Sequence, residues 1–125
     1  MAVKEKPVRL GYRAEAKWLI GSPSKIRPVA DLVRMRPYNE AIAVLDHMPN
    51  KGARLIKKVV ASAAANALDQ NKKLDEGMLY VKELRIDEGP RMRRVWFRAR
   101  GRADMQLKRM CHISCVIDEI GKVEA

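Results

Sequence analysis

Between Gly89 and Met110 the chain reads GPRMRRVWFRARGRADMQLKRM, and no other stretch limits the possible folds so tightly. Eight basic side chains (Arg91, Arg93, Arg94, Arg98, Arg100, Arg102, Lys108 and Arg109) stand against one acid, Asp104, for a net charge of +7. The whole chain carries +11 over 125 residues, so the other 103 share only +4. Unpaired charges cannot be buried without a large desolvation cost, and one carboxylate cannot neutralise eight cations. The stretch is therefore excluded from any ordinary core and is suited to burial against a polyanion.

The flanking sequence is that of an ordinary folded domain. Residues 1–11 mix Lys4, Glu5, Lys6 and Arg9 with a proline and read as a basic tail. From Tyr12 to Ile20 apolar side chains alternate with Arg13, Glu15 and Lys17, the period of a half-buried strand, which assigns Trp18 to the core face. Ser22-Pro23 then starts a helix, the hydroxyl capping it and the proline supplying a preset φ. Ile26, Val29, Ala30 and Val33 form its buried stripe opposite Lys25, Arg27 and Arg34. Pro28 removes one ladder bond there, which kinks the helix or moves its start to Ser24.

Asn39 is placed to cap a second helix with Ile42 and Leu45 inward. A third, from about Lys51 to Asn71, buries Leu55, Ile56, Val59, Val60, Ala63, Ala64, Ala67 and Leu68. A second strand follows over Met78–Asp87, with Leu79 and Val81 on one phase and Leu84 and Ile86 on the other. That change calls for a bulge near Lys82-Glu83 or burial on both faces. Cys111, Ile113, Cys115 and Ile117 define a third strand ending at 118, and 119–125 reads as a tail.

Helices clustered between antiparallel strands give an α+β architecture, three helices on a small three-stranded antiparallel sheet. If the last two strands continue through the basic stretch, residues 89–110 become a long β-hairpin extending from a globular part at 12–88 and 111–118. Its turn falls at Arg98-Ala99-Arg100-Gly101, with Gly101 supplying the unusual φ. Ten residues a side would reach about 30 Å at roughly 3.3 Å each.

A pI near 10.1 favours nucleic acid as partner over an anionic membrane. No run approaches the roughly 18 apolar residues of a spanning helix, and the N-terminus lacks a secretory signal, so a cytoplasmic protein is expected. Arginine forks, with Trp96 and Phe97 as stacking surfaces, suit irregular RNA better than duplex grooves. Cys111 and Cys115 lie about 13 Å apart on one strand face, four steps of roughly 3.3 Å, with His112 on the other; they cannot close around one zinc. His47 has Asp46 and Glu40 nearby but no nucleophile. No catalytic constellation, metal site or cofactor is expected, and the competing reading is an autonomous RNA- or DNA-binding regulator.

The run DEGPRMRRVWFRARGRAD, then LKR at 107–109, HIS at 112–114, the earlier SPSKIRPVADLVR and LIKKVVASAAANA, resembles the bacterial large-subunit ribosomal protein L-twenty-two family. The resemblance implies a structural protein, without enzymatic activity, that binds large-subunit ribosomal RNA during assembly beside neighbouring ribosomal proteins. Its hairpin would run inward along the nascent-polypeptide tunnel. Met92, Arg93 and Arg94 match the segment linked to macrolide response, and Arg98, Arg100, Gly101 and Arg102 match the tip. Lys25 and Arg27 match RNA-facing positions of the first helix. With Trp96, Phe97 and Ala99 these complete the expected RNA-binding and tunnel-facing set. Phe97 departs from the proline common in the family, and residues 1–11 have no counterpart in its shorter members.

Overall fold

The alternating segments pair as one antiparallel sheet of β1 (Tyr12–Ile20), β2 (Leu79–Phe97) and β3 (Ala103–Glu119), in the order β1-β3-β2. This computed structural model describes residues 11–120, so the expected N-terminal tail, except Gly11, and residues 121–125 lie outside it. Strand β3 takes in Glu119, opposite Leu79, one residue past the strand end expected at 118.

Helices α1 (Pro23–Val33), α2 (Tyr38–His47) and α3 (Lys51–Gln70) supply the cover. The stripe Ile26, Val29, Ala30 and Val33 of α1 is buried, as is the Ile56, Val59, Val60, Ala63, Ala64 and Ala67 face of α3. They close over Leu79, Val81, Leu84 and Ile86 of β2 and Cys111, Ile113, Cys115 and Ile117 of β3. Small alanines let α3 lie close to the sheet. Within β2 the register shifts between Val81 and Glu83, so the bulge required by the phase change is present and all four apolar residues face inward.

Three local expectations are corrected. Trp18 is not core: it is 61% exposed, with φ at 62°, because β1 carries a register irregularity between Ala16 and Leu19. The extra residue gives the inward place to Leu19 and leaves Ile20 exposed as well. Trp18 instead donates its backbone N–H to His112 Nδ1 at 3.0 Å and meets the His112 ring edge-on at 5.1 Å. Ser22 does sit at the start of α1, but its hydroxyl bonds Ser24 Oγ at 2.9 Å rather than capping an amide. Asn39 is the second residue of α2, and Pro37 occupies the capping position. Pro28 stays inside α1, exposed, without ending it.

The outer edge of β2 is covered by the end of α1 and the chain just after it. Met35 N–H donates to Val81 O at 2.9 Å, and Val81 N–H to Arg36 O at 3.0 Å. Arg34 Nε donates to Leu84 O at 2.7 Å, and Arg27 donates to Ile86 O through Nε (3.3 Å) and Nη2 (3.1 Å). Alternate carbonyls that would otherwise template another strand are thus occupied.

Candidate nucleic-acid interface

Strand β1 ends opposite Met110, and the Gly21 N–H bonded to Arg109 O at 3.1 Å marks the last contact of its neighbourhood with β3. Beyond that point β2 and β3 continue alone as a two-stranded arm, paired from Arg91 opposite Arg109 to Phe97 opposite Ala103. A second bulge, between Glu88 and Arg91, lies at the root. There a Cβ on Gly89 would come within 3.0 Å of the Met110 carbonyl carbon, so the backbones meet more closely than a side chain allows. The tip closes with Arg98 N–H donating to Arg102 O at 2.7 Å around a tight turn at Ala99–Gly101. Gly101 has φ at 69°, as its position foretold. Arg100 has φ at 62°, a left-handed conformation that costs a non-glycine residue roughly 1–2 kcal/mol.

Directly opposed residues of an antiparallel pair share a face, which gives the arm two different sides. Following β3 outward from Ile113 and Cys111, the phase of the core continues through Arg109, Leu107, Met105 and Ala103, opposite Arg91, Arg93, Val95 and Phe97. The outer half of this side is an exposed apolar stripe, Phe97 being 82% exposed. The other side carries Met92 and Lys108, Arg94 and Gln106, then Trp96 and Asp104, ending on Arg98 and Arg102.

All eight basic residues expected to bind RNA through the arm are on it and exposed. Arg91 pairs with Glu88 at 3.6 Å and Arg98 with Asp104 at 2.5 Å. Arg93, Arg94, Arg100, Arg102, Lys108 and Arg109 make no ion pair among the described residues. Arg94 instead reaches Arg93 O at 2.9 Å and Met92 Sδ at 3.9 Å. The guanidinium of Arg98 also lies over the Trp96 ring, 4.8 Å from its centroid.

The two expected α1 residues separate. Lys25 is exposed beside a cleft of about 370 Å³ lined by Gly21, Ser22, Ile26, Asn50, Lys51 and Gly52, near the arm root through Gly21. Arg27, which the resemblance sets toward RNA, spends two of its guanidinium nitrogens on the β2 edge. A groove of about 700 Å³ between α2 and α3, not singled out from the sequence, adds Arg54, Lys57 and Lys58; Lys57 is paired to Asp46, and His47 also lines the groove. The α3 cations were legible as a polar face; the groove depends on how α2 packs.

Cys111 and Cys115 are free thiols in the core, and no group of three metal-ligating side chains occurs among the described residues. Burial pushes the Cys115 thiol up to about 12, the nearby Glu83 adding to the effect. Cys111 is raised for the same first reason, with Lys51 opposing. Both are poor nucleophiles and poor ligands in this state. No helix among the described residues is long and apolar enough to cross a membrane.

Residues 14–118 match the family model described as Ribosomal protein L22p/L17e. The chain is 61% identical over 111 residues to large ribosomal subunit protein uL22 of Treponema denticola, covering 89% of this chain and 94% of the relative. It is 58% identical to the protein of the same description from Treponema pallidum, over 89% and 90% of the two chains. Against that of Borreliella burgdorferi the identity is 53%, over 86% and 90%.

Proposed function

The chain belongs to the ribosomal protein L22p/L17e family, and from that membership we propose that it is a non-catalytic structural constituent of the large ribosomal subunit, bound to its RNA in the bacterial cytoplasm. One observation carries the reading at residue level: a two-stranded ribbon bearing eight cations, six of them unpaired among the described residues. Isolated ribbons are marginal in water, and adjacent like charges weaken them further, so a polyanion must supply the order.

In this reading Arg91, Arg93, Arg94, Arg98, Arg100, Arg102, Lys108 and Arg109 contact ribosomal RNA along the arm. Lys25 contacts it at the start of α1, and Arg27 adds only what its edge bonds leave free. The globular part, residues 12–88 with 111–118, sits on RNA and neighbouring ribosomal proteins near the outer end of the exit tunnel. The arm, 89–110, runs inward and presents Met92 and the tip residues Trp96, Phe97, Arg98, Ala99, Arg100 and Gly101 to the nascent polypeptide. Met92, Arg93 and Arg94 would be the residues that influence bound macrolides.

The test is sedimentation of a cell lysate through a moderate-salt sucrose gradient. The protein should travel with large subunits; finding it wholly in the free fraction would overturn the assignment. A photocrosslinker replacing Phe97 should then label stalled nascent chains, and labelling of RNA alone would remove the tip from the tunnel lumen.

A further inference from the structure

Asp104 is the one acid of the arm, and an arm built for charge alone would not carry it. It stands directly opposite Trp96, and its carboxylate holds Arg98 Nε at 2.5 Å. That contact lays the Arg98 guanidinium over the Trp96 ring, 4.8 Å from the centroid. The backbone of Arg98 is fixed separately by its bond to Arg102 O. Arg98 and Asp104 both have more than half of their side-chain surface in water, so an ion pair of this kind adds little to folding. What it does is remove side-chain freedom before any partner arrives.

We propose that Trp96, Arg98 and Asp104 form a preassembled stacking platform for a single unpaired nucleobase of RNA. The inference rests on the RNA-binding reading above and deepens it, assigning Trp96 and Arg98 to RNA rather than to the nascent polypeptide. The guanidinium carbon lies over the indole, and the Arg98 side chain keeps more than half of its surface exposed, open to a flat π-system. Arg94 and Gln106 precede this level on the same side of the ribbon, and Arg102 follows it. The two arginines are placed to neutralise the phosphates flanking the base, and the Gln106 amide can bond its edge. The opposite side of the outer arm, Val95, Met105, Phe97 and Ala103, is apolar and has Arg93 only on its inner flank, so it lacks the cation on each side of an aromatic ring that the Trp96 level has. A base inside a duplex hides its π-face, so the platform selects an unpaired one. Stacking tolerates any base and favours purines by their larger area.

The experiment uses the full chain with Trp18→Phe, which leaves Trp96 as the only indole; Trp18 is exposed and its hydrogen bond comes from the backbone. The probes are a ten-nucleotide oligoadenylate and an abasic ribose-phosphate oligomer of equal length. Oligoadenylate should quench Trp96 fluorescence and bind roughly 5- to 150-fold more tightly than the abasic oligomer, the range typical of one stacked base. Trp96→Leu should abolish that difference without changing affinity for the abasic oligomer, Trp96→Tyr should retain most of it, and Asp104→Asn should reduce it. Circular dichroism confirms that each variant is folded. Equal binding of the two oligomers, or a base-dependent difference that survives Trp96→Leu, overturns the platform alone. An uncharged aromatic peptide that quenches Trp96 at the same concentration as oligoadenylate overturns it too. Failure of both oligomers to bind overturns the RNA-binding reading and the platform with it.

Discussion

Replacing Arg93 and Arg94 together by alanine should change how RNA affinity depends on salt, not merely its value. Both side chains are exposed, and neither has a carboxylate partner among the described residues, so each is free to displace one counterion from RNA. Each neutralised phosphate contributes about 0.8 to the slope of log K against log salt, so the pair contributes about 1.6. Between about 50 and 200 mM salt the unmodified protein should lose roughly ninefold more affinity than the variant. Arg27→Ala is the matched control, since its guanidinium is held on Ile86 O and meets RNA only with what those bonds leave free; it should lower thermal stability and change the slope far less than the pair does. The assay is fluorescence anisotropy with a labelled large-subunit RNA fragment at four salt concentrations. An unchanged slope in the double variant, or an equal fall in Arg27→Ala, would refute the division between arm cations and edge cations.

Other consequences follow from the same geometry. Arg34→Met should cost about 1 kcal/mol, or about 4 °C in Tm, by freeing the Leu84 carbonyl; the partly exposed site keeps the loss below that of a buried charged bond, and an unchanged Tm would contradict it. Gly89→Ala should cost about 1–3 kcal/mol because its Cβ meets the Met110 backbone, whereas Gly77→Ala, with nothing within 4 Å, should be nearly neutral in the same melts. Cys115 is raised from 9.0 to about 12, so between those values the unfolded chain has lost a proton that the folded one keeps. Stability relative to Cys115→Ala should therefore be constant below pH 9 and fall by up to about 1.4 kcal/mol per unit above it; urea denaturation at pH 7 to 10 that shows a constant difference would exclude this. Amides from Arg91 to Arg109 should exchange much faster than that of Ile113 in the free protein, and strong protection there would show that the arm needs no RNA to be ordered.

Periodicity carried most of the fold because most of it is decided locally. The stripe of α3 and the alternation of Cys111, Ile113, Cys115 and Ile117 each have one amphipathic solution, and the phase change at Val81–Glu83 required the bulge found there. The failure at Trp18 has the opposite origin. Both Trp18 and Leu19 are apolar, so the pattern is satisfied with or without an added residue, and the choice falls to pairing with β3, which sequence spacing does not contain. Arg27 and Arg34 fail to declare themselves for a related reason: an arginine reads as a solvated or RNA-facing cation until the edge strand beside it is known. The arm cations were legible because, among the described residues, only Glu88 and Asp104 compete for them.

The arm's stability and its chemistry come from one strand. Strand β3 is central where the sheet is covered, and its alternation runs on past Cys111, so the arm is the sheet extended beyond its helices. The core phase then emerges as the exposed stripe of Leu107, Met105, Val95 and Phe97, on a ribbon with two unpaired edges. A ribbon of that kind is a template for association with copies of itself. Six cations without an ion pair among the described residues make the approach of a second arm repulsive while leaving that of a polyanion favourable. On the proposed reading, the charge that recruits RNA also keeps the free arm single, and the covered outer edge of β2, sealed by Met35, Arg36, Arg34 and Arg27, extends the same protection into the globular part.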